Sequence, residues 1–205
     1  MKQAIDNWKL ADHIKAACCD ATASNTGKKS GSCNLLAKRL KQSLLYMSCR
    51  HHIFEIMNGN AFDLSLGYST GPDIQLFVRF KKYWSHIDVS QFESGFDDYE
   101  TSYILSECQN TVDQIVRFVK TALNTHLRRG DYREFLELVL MFLGEKLDRG
   151  LRFIQPGAYH RARMMAKIIY SLKIWMFRQQ FTIIPREIKG LRDMNIFVEL
   201  VYTKF

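Results

Sequence analysis

Apolar positions follow two different rhythms along this chain. Near the start they come in short runs. Residues 14–19 form one such run, which predicts a buried strand ending at Asp20. The stretch 20–27 (Asp-Ala-Thr-Ala-Ser-Asn-Thr-Gly) is turn chemistry, rich in side chains that bond their own backbone. Over 34–44 the apolar positions 35, 36, 40 and 44 alternate with Lys38, Arg39 and Lys41, the pattern of an amphipathic helix. A second brief run at 44–47 predicts another strand, and Cys49-Arg50-His51-His52 follows at its end. A helix over 51–64 should turn Ile53, Ile56, Met57 and Phe62 inward. Residues 1–12 read as a short polar helix with Ile5, Trp8 and Leu10 on its apolar side.

Beyond residue 66 the rhythm is helical. Gly-Pro marks a loop at 67–72. Asp73 is placed to cap a helix over 74–86 that buries Leu76, Phe77, Phe80 and Trp84. Residues 88–102 form an acidic connector, the expected domain boundary. Helical spacing resumes over 103–127 through Val112, Ile115, Val116, Val119 and Leu123. After a turn at 128–131, Asp131 with Glu134 resembles a capping box, opening an apolar helix to about residue 147. A loop over 148–157 leads into two long helical patterns. The first puts Ala158, Ala162, Met165, Ile169, Leu172 and Met176 on one face and His160, Arg163 and Lys167 on another. The second opens at Pro185 and runs to the end without a Gly or Pro stop signal, as expected of a truncated architecture. The aromatic and aliphatic stripes at 132–143 and 168–177 read as core. The predicted fold class is α/β plus all-α: two strands with helices, then a helical region, predominantly helical overall.

Nearly half of the 205 residues are hydrophobic and 13% are aromatic, which suits a packed core. No run is long and apolar enough to predict a membrane span, and no secretion signal is visible. Five irregularly spaced cysteines do not form a disulfide framework, so a reduced intracellular setting is expected. Charge is uneven. Residues 88–113 hold seven acids and no Lys or Arg, whereas 149–192 hold ten Lys/Arg and the one acid Glu187. The basic block favours a polyanionic partner, most often nucleic acid.

The candidate chemistry collects where the two strands end, because reactive groups of open α/β sheets lie at the carboxyl ends of strands. Asp20 is either a turn residue closing its strand or one carboxylate of a metal-binding set. Cys49 and His52 offer two ligands where structural zinc takes four, so a buried thiol beside a helix-start histidine is the competing reading. The stretch 26–30 (Thr-Gly-Lys-Lys-Ser) lacks the glycine that a nucleotide-binding loop requires five residues before Gly27; simple anion contact by Lys28 and Lys29 at a helix start remains open. His160, Arg163 and Lys167 are either a solvated face or phosphate contacts.

Several stretches together resemble hAT-like DNA transposases, whose catalytic domain is ribonuclease H-like. They are Asp20-x-Thr-x-Ser-Asn-Thr-Gly27, Cys49-Arg-His-His52-Ile, Gly71-Pro-Asp, Asp131-Tyr-Arg-Glu-Phe-Leu-Glu-Leu, and residues 156–170 around Arg163 and Lys167. The resemblance covers most of the chain. Where the family has Trp after the last motif's arginine, Met164 stands here. The resemblance implies a partial ribonuclease H-like catalytic unit at 1–87, the connector at 88–102, and the start of a helical insertion at 103–205. It makes Asp20 one of three Mg²⁺-binding carboxylates, with the other two unmatched in this chain, and Cys49/His52 supporting groups. DNA, specifically transposon ends, would be the partner, with Lys28, Lys29, His160, Arg163 and Lys167 as contacts, in the nucleus or elsewhere inside the cell. Because strands that flank Asp20 in that fold have no counterpart here, an unpaired sheet edge and self-association are expected. Catalysis by this chain alone is not. The alternative is a transposon-derived helical nucleic-acid-binding or scaffold protein.

Overall fold

The computed structural model describes residues 2–68, 74–127, 129–147, 150, 153–157 and 163–204. Gly71-Pro-Asp, the cap expected of Asp73, and His160 lie outside the described residues, as does the side chain of Arg163. The fold is predominantly helical, with ten α-helices and one two-stranded parallel sheet among the described residues. No helix is long and apolar enough to cross a membrane among the residues described.

The chain separates into two compact units, Met1–Met57 and Asn58–Phe205. This division differs from the one read in the sequence. The stretch 88–102 lies inside the second unit, where Gly95 N–H donates to Phe142 C=O at 2.7 Å and Glu93 N–H to Met176 C=O at 2.9 Å. Three of its acids, Glu93, Asp98 and Glu100, face cations of the same unit.

In the first unit, α1 (Lys2–Asn7) precedes β1 (Ala16–Cys19), which leads through α2 (Ala23–Thr26) and α3 (Ser32–Leu40) to β2 (Leu45–Ser48). β1 and β2 pair in parallel, Ala16 opposite Leu45 and Cys19 opposite Ser48. A parallel pair needs such a crossover, and α3 supplies it. Lys41, in left-handed conformation at φ 53°, ends α3, and Gln42 Nε2 then donates to Ala11 C=O at 2.8 Å and Ile14 C=O at 3.0 Å. The expected burial of the first strand is corrected: β1 alternates exposed and half-buried positions, and every residue of β2 is exposed as well. A two-stranded sheet has no flanking strands to cover it. Ile5 and Leu36 are the hydrophobic side chains buried here among the described residues, while Trp8 is 75% exposed. Helix α4 (Arg50–Leu66) begins in this unit and ends in the next. Its Ile53 and Ile56 are exposed rather than inward, and only its later part is buried, at Asn58 and Phe62.

The second unit holds the core. It comprises α5 (Gln75–Tyr83), α6 (Tyr99–Glu107), α7 (Gln109–Leu123), α8 (Gly130–Phe142), α9 (Arg163–Met176) and α10 (Pro185–Leu200). α9 packs against both α8 and α10. Its residues 168–176 are buried on every side, the signature of a central helix. Rings of several elements interlock there: Phe62 and Tyr170 flank Phe77, and Phe181 meets Phe80 at 5.5 Å. Gly190 lets α10 approach α4, since a Cβ there would come within 2.3 Å of Ser65 C=O. Two local expectations are corrected. The helix over 103–127 is two helices, broken at Cys108, with Asp98 capping the first by accepting from Thr101 N–H at 3.0 Å. The capping box of Asp131 and Glu134 does not form, because Asp131 pairs with Arg129 and Glu134 with Lys173. Pro185 opens its helix as expected, with Glu187 accepting from Ile184 N–H at 3.2 Å.

Candidate functional site at the carboxyl end of the strand pair

β1 delivers Asp20 to the carboxyl end of the sheet, and the turn after it fixes one carboxylate oxygen. Asp20 Oδ1 accepts from Thr22 N–H at 3.0 Å, Thr22 Oγ1 at 2.5 Å and Asn25 Nδ2 at 2.7 Å. Hydrogen bonds from Thr22, then from Asn25, hold this carboxyl below its ordinary range, with a smaller contribution from the charge of His52. Tyr46 Oη donates to Asp20 C=O at 3.0 Å, tying the neighbouring strand to the same corner. Cys49 N–H donates to Cys19 C=O at 2.8 Å, one residue past the paired strands. His52 follows in the first turns of α4, its Nδ1 3.7 Å from Glu55. The fold therefore brings Asp20, Cys49 and His52 to one end of the sheet.

No group of three His, Cys, Asp or Glu suited to a metal exists among the described residues. A two-metal phosphoryl-transfer site needs several carboxylates around the ions. Here one carboxylate stands alone, and its Oδ1 already takes three hydrogen bonds. Mg²⁺ sheds water reluctantly and would find too few ligands. The residues present do not fit the ion, nor does Cys49 with His52 complete a zinc tetrahedron.

Lys28 and Lys29 are exposed in the turn between α2 and α3, at the same end of the sheet as Asp20. Backbone and amide bonds shape this turn: Gly27 C=O accepts from Gly31 N–H at 2.8 Å and from Asn34 Nδ2 at 3.0 Å. Lys167 differs. It is half-buried, its Nζ lies 4.5 Å over the Phe62 ring and 3.8 Å from Asp63 Oδ1, so its charge turns into its own unit.

Several described cations of the basic block 149–192 have a similar explanation. Arg178 meets Glu93 at 2.5 Å and lies 4.3 Å over the Trp175 ring. Arg192 pairs with Asp98 and Glu100, and Lys173, buried, pairs with Glu134 and donates to Ile154 C=O at 2.6 Å. The acidic stretch and the basic block thus complement each other in part within one unit. The two opposite-sign blocks were themselves the sequence signal for this, read separately rather than as partners. The first unit is the uncompensated one: nine Lys/Arg against four Asp/Glu in residues 1–57. Among the described residues, none of Lys9, Lys15, Lys28, Lys29, Lys38, Arg39 or Lys41 stands in an ion pair, and all are exposed.

Two further features had no clear signal in the sequence. Cys19 and Cys33 bring their sulfurs to 3.0 Å. Glu199 is wholly buried in α10 with neither oxygen hydrogen-bonded, and burial pushes its carboxyl well above the ordinary range.

Comparison with protein-family models, curated proteins and solved structures finds no match to this chain.

Proposed function

We propose that this chain is a nucleic-acid-contacting part of a hAT-like DNA transposase, without strand cleavage of its own. The observation that carries the reading is the exposed, unpaired Lys28–Lys29 turn at the Asp20 end of the sheet, in a unit with nine basic and four acidic residues. Phosphate contact needs such uncompensated cations. The ordered motifs from Asp20 to Gly27 and from Cys49 to His52 support a ribonuclease H-like origin, as does the parallel strand pair with its helical crossover. The helical second unit is the start of the insertion in this reading. Asp20 serves as the organiser of its turn in this reading. The ion pairs of Lys173, Arg178 and Arg192 favour one competing reading, a transposon-derived helical scaffold without catalysis.

Titration of labelled duplex DNA across a salt series decides between them. The chain should bind with salt-dependent affinity, and a Lys28→Ala/Lys29→Ala variant should lose about two from the slope of log K against log salt. Asp20→Asn should bind as the parent does, and neither protein should cut DNA with Mg²⁺. Binding indifferent to salt or to both lysines would favour the scaffold. Mg²⁺-dependent cleavage abolished in Asp20→Asn would restore the enzyme.

The outer edge of β2, with Leu45 66% and Met47 52% exposed, we assign to pairing with a second copy of the chain, since unpaired strand edges are templates for association. Sedimentation velocity over a concentration series should show a dimer that Met47→Lys weakens. A monomer at every concentration removes this assignment.

A further inference from the structure

We propose that Cys19 and Cys33 are a reversible thiol–disulfide site, closed by exchange with a small-molecule disulfide such as oxidised glutathione. The two sulfurs sit 3.0 Å apart, about 1 Å from bonding distance. Cys19 ends β1 and Cys33 is the second residue of α3, so both backbones are held by regular structure while the turn runs between them. Successive side chains of a strand point to opposite faces. That alternation selects Cys19 over its neighbour Cys18, which is exposed, whereas Cys19 and Cys33 are both half-buried. Half-buried, both keep the partial exposure that a small disulfide needs to reach them.

The chemistry balances with a single co-reactant. The Cys33 thiolate attacks one sulfur of the small disulfide, breaking its S–S bond and releasing one thiolate. The Cys19 thiol loses its proton to solvent and attacks the Cys33 sulfur, forming the Cys19–Cys33 bond and expelling the second thiolate. Two protein thiols are oxidised, and the small disulfide is reduced to two thiols. The hydrogen bond with Cys33, then burial, push the Cys19 thiol up to about 11, and the same contact sets the two sulfurs within reach of each other. The closed ring encloses Asp20, its Thr22 and Asn25 donors, and the Lys28–Lys29 turn. Oxidation would fix a loop that otherwise rests on exposed hydrogen bonds. The proposal is independent of any nucleic-acid role.

The full chain is equilibrated in glutathione buffers of graded oxidation, quenched by alkylation, digested and mapped by mass spectrometry. The expected product is a Cys19–Cys33 cross-link that a dithiol reverses. It should persist in Cys18→Ser and Cys49→Ser and vanish in Cys19→Ser, where Cys18 should not replace it. Amide hydrogen exchange over 20–27 should slow on oxidation of the parent and stay unchanged in Cys33→Ser. A dominant Cys18–Cys33 or Cys19–Cys49 link would overturn the proposal. So would glutathione adducts that never resolve to the internal bond, or thiols that stay reduced throughout the series.

Discussion

In Met1–Met57 the buried hydrophobic side chains among the described residues are Ile5 and Leu36, while Asn58–Phe205 encloses Phe62, Phe77, Phe80, Phe142, Trp175 and Phe177 almost completely. The two units therefore hold together by different forces. The second rests on the removal of apolar surface from water, with Lys173 and Arg178 drawn in beside Glu134 and Glu93. The first rests on local hydrogen bonds: Asp20 with Thr22 and Asn25, Gln42 with Ala11 and Ile14, Ser32 with Ser24. Net hydrogen-bond contributions are about 1 kcal/mol each and smaller where water competes. The candidate chemistry thus sits on the less stable unit, where loops and exposed charge are free to meet a partner. The second unit gives the chain a core and neutralises most of the charge it draws inside.

The contrast is broken most directly by matched truncations. Phe80→Ala, at a fully buried ring, should cost about 3–5 kcal/mol in chemical denaturation. Leu45→Ala, at a largely exposed strand position, should change stability by less than about 0.5 kcal/mol. Equal losses would mean that the first unit has a core of its own.

A subtler test lies inside the second unit, at the wholly buried and unpaired carboxyl of Glu199. Folding favours the protonated form of Glu199, because burial raises its affinity for a proton. Stability from this preference is full below the ordinary value of 4.5 and is lost as pH rises toward the folded value. Glu199→Leu removes the unsatisfied group, so it should gain about 1–3 kcal/mol at pH 7, with the gain shrinking as pH falls to 4.5. A loss of stability at neutral pH would show that the carboxylate has a partner in solution.

The smallest effect concerns the ion pairs that join the acidic stretch to the basic block. Burial opposes ionisation of Asp98, but hydrogen bonds from Thr101 and the Arg192 guanidinium outweigh it and lower the carboxyl below its ordinary value of 3.8. Its contribution is therefore present above 3.8 and lost as pH falls through the folded value. Asp98→Ala should cost about 1 kcal/mol at pH 7 through the lost helix cap, and should flatten the acid limb of thermal melts below pH 4. An unchanged acid limb would place the acid sensitivity elsewhere.

Much of the helical architecture was legible because its signals are local. The apolar spacing of Leu76, Phe77 and Phe80, of Val112, Ile115 and Val119, and of residues 168–177 marks buried faces whatever lies opposite them. Pro185 announces its helix for the same reason. At the candidate site, the run before Asp20 and the run before Cys49 foretold two strands, and the parallel pairing brought their ends together. The bonds of Thr22 and Asn25 to Asp20 were foreshadowed by the turn composition.

The rest depends on distant partners. Apolar runs at 14–19 and 44–47 predict burial only if something covers them, and no neighbouring strand does so among the described residues. Ten cations in 149–192 resemble a nucleic-acid surface until Glu93, Asp98, Glu100 and Glu134 are found against three of them. Sequence alone determined most of the elements and their order, and the place of Asp20 after its strand. Tertiary structure decided which charges are neutralised, which cysteine faces Cys33 and which apolar residues meet water. Periodicity is a property of neighbours along the chain, whereas burial and charge pairing are properties of neighbours in space.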